Sequence, residues 1–169
     1  MDPFVRRFVK ASLVWLAAGA TLGVAMAAVP SWLVYRPAHV HMNLLGFVTM
    51  MIYGVAYHVI PRFTSHPLYS RRLAGVHWWI SNVGLALMIT GFSLAPHIGP
   101  PGRTMLASGG LLSATGGFCF IVNLWRTIDG ARPTHRDPLR QRSQPEAGAP
   151  ASELVSPGRA AASPLDRRL

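Results

Sequence analysis

Seven histidines are the only residues whose chemistry could operate in the apolar part of this 169-residue chain: His39, His41, His58, His66, His77, His97 and His135. No carboxylate accompanies them. The six acids are Asp2, Asp129, Asp137, Glu146, Glu153 and Asp166, and none falls between Pro3 and Ile128. That distribution excludes paired-carboxylate hydrolysis, Mg²⁺ chemistry on acidic ligands and a proton relay built on buried acids. A single cysteine, Cys119, excludes an internal disulfide, an iron–sulfur cluster and a four-cysteine zinc site. What remains is neutral imidazole, an axial ligand for a metal.

The histidines have to be positioned by apolar helices. Half the chain is hydrophobic and 13% is charged, with a mean hydropathy of +0.29, whereas a soluble domain carries about a quarter of its residues as charges. Four stretches are long enough to cross the hydrocarbon core, which takes about 20 apolar residues. They run over 8–29, 39–60, 75–95 and 104–125, and proline or arginine bounds each: Pro30 and Pro37, Pro61 and Arg62, Pro96 to Pro101, Arg126. Proline does not continue a helix interior, so these are read as stops. Short connections make consecutive helices antiparallel neighbours. The expected fold is all-α: an integral membrane four-helix bundle over residues 1–128.

Arginine and lysine set the expected orientation. Arg6, Arg7 and Lys10 precede the first helix; Arg62, Arg71 and Arg72 lie in the second connection; Arg126, Arg132, Arg136, Arg140 and Arg142 follow the fourth. Arg36 and Arg103 are the single arginines of the other two connections. The positive-inside rule then places both termini in the cytoplasm and the chain in a bacterial-type inner membrane. The basic start and the Ala25-Met26-Ala27 triplet also resemble a cleavable signal. Against that, Gly19 and Gly23 form a small-xxx-small face suited to helix packing, so the first helix is read as retained. Residues 129–169, rich in Pro, Ala, Ser and Arg, are read as a disordered basic cytoplasmic tail. No basic–aromatic interleaving points to nucleic acid; membrane lipid is the expected surroundings.

Helical periodicity, at about 100° per residue, sorts the histidines by facing. His39 shares a small and polar face with Asn43, Gly46, Met50, Tyr53, Gly54 and Tyr57. His41 falls on a branched aliphatic one with Leu45, Val48, Ile52, Val55 and Val59. In the third helix His77 aligns with Ser81, Gly84, Met88, Gly91 and Ala95; in the fourth Gly109, Ser113, Gly116, Phe120 and Asn123 form a similar stripe. His39 and His77 are therefore expected to point inward. An inward histidine above a glycine suits haem: imidazole ligates the iron, and Gly46 leaves room for a flat porphyrin. Arg36 and Arg103, on the same side, suit the propionates. His97 is placed beyond the third helix, among Pro96, Pro100 and Pro101. His66 and His135 are read as solvated residues, Cys119 as packing, and Trp15, Trp78, Trp79 and Trp125 as an interfacial belt. Interface anchoring is the preferred reading of Tyr57 and His58, with a quinone or haem contact second.

Arg36-Pro37-Ala38-His39-Val40-His41-Met42-Asn43-Leu44-Leu45-Gly46, continuing to Tyr57-His58-Val59-Ile60-Pro61-Arg62, resembles the second transmembrane helix of the haem–copper oxidase catalytic subunit, above all in cbb3-type oxidases and nitric oxide reductases. In that family an Arg-Pro-x-His start supplies an axial histidine to low-spin haem b. The resemblance implies that role for His39; His41 fits a competing His-x-Asn-Leu-Leu match. The family's copper-ligating histidines and active-site haem ligand have no counterpart here, so copper is not expected and catalysis by this chain alone is not expected. The second axial ligand is left among His41, His97, His77, a methionine or another subunit. A two-haem arrangement, with His58 and His77 holding an inner haem, is the wider alternative.

Three functional classes follow. The first is a haem b-binding electron-transfer or accessory subunit, within a homo-oligomer or a larger respiratory membrane complex, with quinone or cytochrome c as redox partner. The second is a cofactor-free structural or assembly subunit. The third is a haem-based gas sensor.

Overall fold

The computed structural model describes residues 2–130, and they form four long helices, each apolar enough to cross a membrane. The expectation for residues 131–169, including His135, lies outside the described residues. Among the described residues there is no strand, and the molecule is an all-α membrane bundle.

The first span, Pro3–Ala28, begins with a proline at its first position, where the missing N–H would have no helical partner anyway. It ends at Val29, which turns extended ahead of Pro30. The second span, Pro30–Phe63, is continuous but not uniform. A 3₁₀ stretch, Pro30–Tyr35, leads into α-helix over Arg36–His41, π-helix over Met42–Thr49 and α-helix again over Met50–Phe63. Within the π segment the Thr49 hydroxyl donates to the Leu44 carbonyl at 2.8 Å, five residues back, which satisfies an acceptor in the widened turn.

The third span, Arg71–Ile98, is capped by Ser70, whose hydroxyl accepts from the Leu73 amide at 3.1 Å. Gly99, at φ 64°, turns the chain into the fourth span, Pro100–Ile128, again with proline at the start.

Every span is longer than expected, and three of the expected proline stops are overturned: Pro37 lies inside the continuous Pro30–Phe63 span, at the start of its Arg36–His41 segment. Pro61 lies inside Met50–Phe63 and Pro96 inside Arg71–Ile98, each in the last turn. A proline there removes only one bond near a terminus, where few helical bonds remain to break. In consequence His97 is helical, one residue from the end of the third span, rather than outside it.

Glycines decide how closely the spans approach. A Cβ on Gly91 would strike the Leu106 backbone, and one on Gly109 the Met88 backbone, so the third and fourth spans pack backbone to backbone. At Gly46 and Gly54 of the second span side chains come in instead: Trp15 and Leu85 fill the space at Gly46, Phe8 and Val9 that at Gly54. The core gathers Phe4, Val5 and Phe8 with Met50, Tyr57, Leu85 and Met88. The exposed apolar residues, such as Val24, Ile52, Leu111 and Phe118, point outward from all four spans as lipid-facing surfaces do.

Candidate functional site

The π segment sits just after the two neighbouring histidines, and helical geometry sends them to opposite sides of the second span. His39 turns to the first span. Its Nδ1 donates to the Gly19 carbonyl at 2.8 Å, and a Cβ on Gly23 would lie 2.8 Å from its Cε1. Asn43, one turn on, packs on Gly19 and donates from its side-chain amide to the His39 carbonyl at 2.9 Å. Gly19 and Gly23 thus form the flat surface against which the His39–Asn43 pair rests.

His41 turns to the third span, where its ring stacks beside Phe92 with centroids 4.6 Å apart. Its Nδ1 donates to the Pro37 carbonyl at 2.8 Å. A carbonyl only accepts, so both His39 and His41 carry their proton on Nδ1. In the neutral ring Nε2 is then the free nitrogen, the arrangement by which imidazole binds a metal while its other nitrogen is anchored.

The other histidines are engaged differently. His97 meets the Tyr35 hydroxyl through Nε2 at 3.1 Å, at the exposed proline-rich end. Arg62 donates to His58 Nδ1 at 2.9 Å and also to its carbonyl, so His58 accepts on Nδ1. His77 is fully buried, its Nδ1 3.0 Å from the Tyr57 hydroxyl and its ring boxed by Phe8, Tyr53, Tyr57 and Phe120. Among the described residues, no hydrogen bond or ring contact joins His39 to His41 or to His97, or His58 to His77. Nor do three metal-ligating side chains cluster anywhere among them. Arg36 and Arg103 are exposed.

Tyr57 is a correction: it is 1% exposed and bonded to His77, so it anchors the core and not the interface. Trp15 is another, because its indole N–H donates to the Asn82 side-chain oxygen at 3.2 Å between the first and third spans. Two further polar contacts escape sequence reading. Asn123 brackets Ser70, accepting from its amide at 3.0 Å and donating to its carbonyl at 2.9 Å, while the Thr127 hydroxyl accepts from the Tyr69 amide at 3.0 Å. The polar stripe of the fourth helix hinted at Asn123, but no pattern names a loop backbone as its partner.

Comparison with known proteins agrees with this architecture. The family described as "Cytochrome C and Quinol oxidase polypeptide I" matches residues 4–131, which takes in all four spans. The chain belongs to this family. Among characterised members of the oxidase polypeptide I family, it is 25% identical to the Cbb3-type cytochrome c oxidase subunit CcoN1 of Stutzerimonas stutzeri, over 83% of this chain and 36% of that protein. It is 27% identical to cytochrome c oxidase subunit 1 of Rhodobacter capsulatus, over 53% of this chain and 22% of that one. The chain therefore spans about a third or less of these oxidase polypeptides. The likeness of residues 36–62 to a haem–copper oxidase helix belongs to a similarity that runs through the whole bundle.

Proposed function

We propose that this chain is a haem b-binding module of the oxidase polypeptide I family, with His39 as an axial ligand. In this reading it serves electron transfer, or acts as an accessory subunit, in a respiratory complex of a bacterial inner membrane. The observation that carries it is the 2.8 Å bond from His39 Nδ1 to the Gly19 carbonyl. That bond fixes the tautomer that leaves Nε2 available, orients the ring, and raises its basicity as a ligand. Haem b, when bound, supplies a one-electron couple. The chain's own residues do the rest: Gly19 and Gly23 let the imidazole approach the first span, and Asn43 holds the turn below. Arg36 and Arg103 are the cations from which propionate pairing is expected.

Because His39 and His41 diverge, one iron does not take both in this arrangement. His97, a rearranged His77, a methionine or a group from another subunit would then complete the site, with a quinone or a cytochrome c as redox partner. His41, anchored in the same way through Nδ1, is the alternative ligand.

A cofactor-free assembly subunit is the second reading, favoured by Gly46. The space that a porphyrin face would use there is filled by Trp15 and Leu85. Purification in mild detergent, with oxidised and dithionite-reduced spectra, separates the two. Reduced bands of a haem b that disappear in His39→Ala support the first; protein without a Soret band after expression with ample haem supports the second.

A further inference from the structure

Three buried polar atoms at the junction of the third and fourth spans make no hydrogen bond to protein: His77 Nε2, Ser81 Oγ and Ser113 Oγ. Orphaned polar atoms are costly inside a protein and costlier where lipid surrounds it. These three are neighbours. Ser81 follows His77 by one helical turn, and a Cβ on Gly116 would strike the Ser81 hydroxyl and touch His77 Cδ2 at 3.4 Å. Ser113, one turn before Gly116 on the fourth span, lies with Ser81 in the wall of a cavity of about 20 Å³. Tyr53 and Met50 of the second span line its other side. That volume exceeds what one water molecule needs, about 10–15 Å³ measured the same way.

We propose that this cavity is a binding site for one ordered water, held by the Ser81 and Ser113 hydroxyls. Two partners lie within the range of two to four that a buried water makes. The water bridges the third and fourth spans beside the second, whose Met50 and Tyr53 line the same cavity. It also explains why two serines face a packing seam otherwise built from glycine and apolar residues. The inference is independent of haem binding at His39, since neither serine belongs to that site.

Thermal unfolding of Ser81→Ala, Ser113→Ala and the double variant, in the purified full chain, gives a test by sign. Alanine favours helix over serine and removes an orphaned hydroxyl. If no water is present, each substitution raises Tm. If the water is held, each removes one of its partners and lowers Tm, and the double variant falls by less than the sum of the two. A structure in lipid nanodiscs at better than ~2 Å reads the site directly: density within about 3.2 Å of both hydroxyls is expected. Serine hydroxyls bonded to carbonyls of the preceding turn, with no density between them, would overturn the proposal.

Discussion

His39 and Gly19 are joined by a single hydrogen bond, 2.8 Å from the imidazole Nδ1 to a backbone carbonyl twenty residues earlier in the chain. A glycine at that position allows the approach, and a second at Gly23 gives the ring a surface to rest on. The ligand candidate is thereby held by backbone, which no substitution on the first span replaces chemically but several can displace.

The first prediction concerns the histidines themselves. His39→Ala removes the haem spectrum, whereas His41→Ala retains it, because only the former loses the ring oriented on the first span. Haem-to-protein ratios of the two purified variants decide this. Loss in His41→Ala with retention in His39→Ala would reassign the ligand.

Crowding the support has a graded effect. Gly23→Val places new atoms where His39 Cε1 now lies, 2.8 Å from the nearest Cβ position. The imidazole must shift, and we expect haem affinity to fall roughly 10- to 100-fold, the usual effect of disturbing a ligand's anchor. Haem titration of the apoprotein measures it, and Gly75→Val, where a Cβ meets nothing within 4 Å, serves as control.

Between the second and third spans, Tyr57→Phe leaves His77 Nδ1 without its partner. A loss of about 1–2 kcal/mol is expected, since interhelical hydrogen bonds in membranes are individually modest but leaving a buried polar atom unpartnered is not. Unfolding by denaturing detergent reports the difference, and an unchanged midpoint would show the bond to be dispensable.

At the arginine-rich end, Asn123→Ala frees the Ser70 amide and carbonyl together. The Ser70 cap on the third span loosens with them, for an expected cost of about 1–3 kcal/mol. Proteolysis at the 64–70 connection should quicken in the variant.

Topology is testable without a cofactor. In a Cys119→Ser background, cysteine introduced at Ser65 and at Gly99 should label from opposite sides of the membrane, with Ser65 on the cytoplasmic side. Labelling of both from one side would contradict four spans.

The four helices were legible in the chain itself because about twenty apolar residues without an acid have one outcome in lipid: every backbone group must bond within its own helix. Facing was legible for the same reason. Gly46, Met50, Gly54 and Tyr57, and Ser81, Gly84, Met88 and Gly91, are buried along the stripes that periodicity assigns. Only the tertiary structure decided what each polar group meets. Nothing in the spacing says that His39 reaches back to Gly19, that His41 packs on Phe92, or that Tyr57 turns from the interface to His77. Helical period gives the direction of a side chain within its own helix. Its partner depends on which glycines let neighbouring backbones close in, and on the local π winding of Met42–Thr49, which departs from the uniform 3.6-residue turn. The prolines show the same division. Their presence near helix ends was visible, but whether Pro61 and Pro96 stop a helix or sit in its last turn depended on how many backbone bonds remained beyond them.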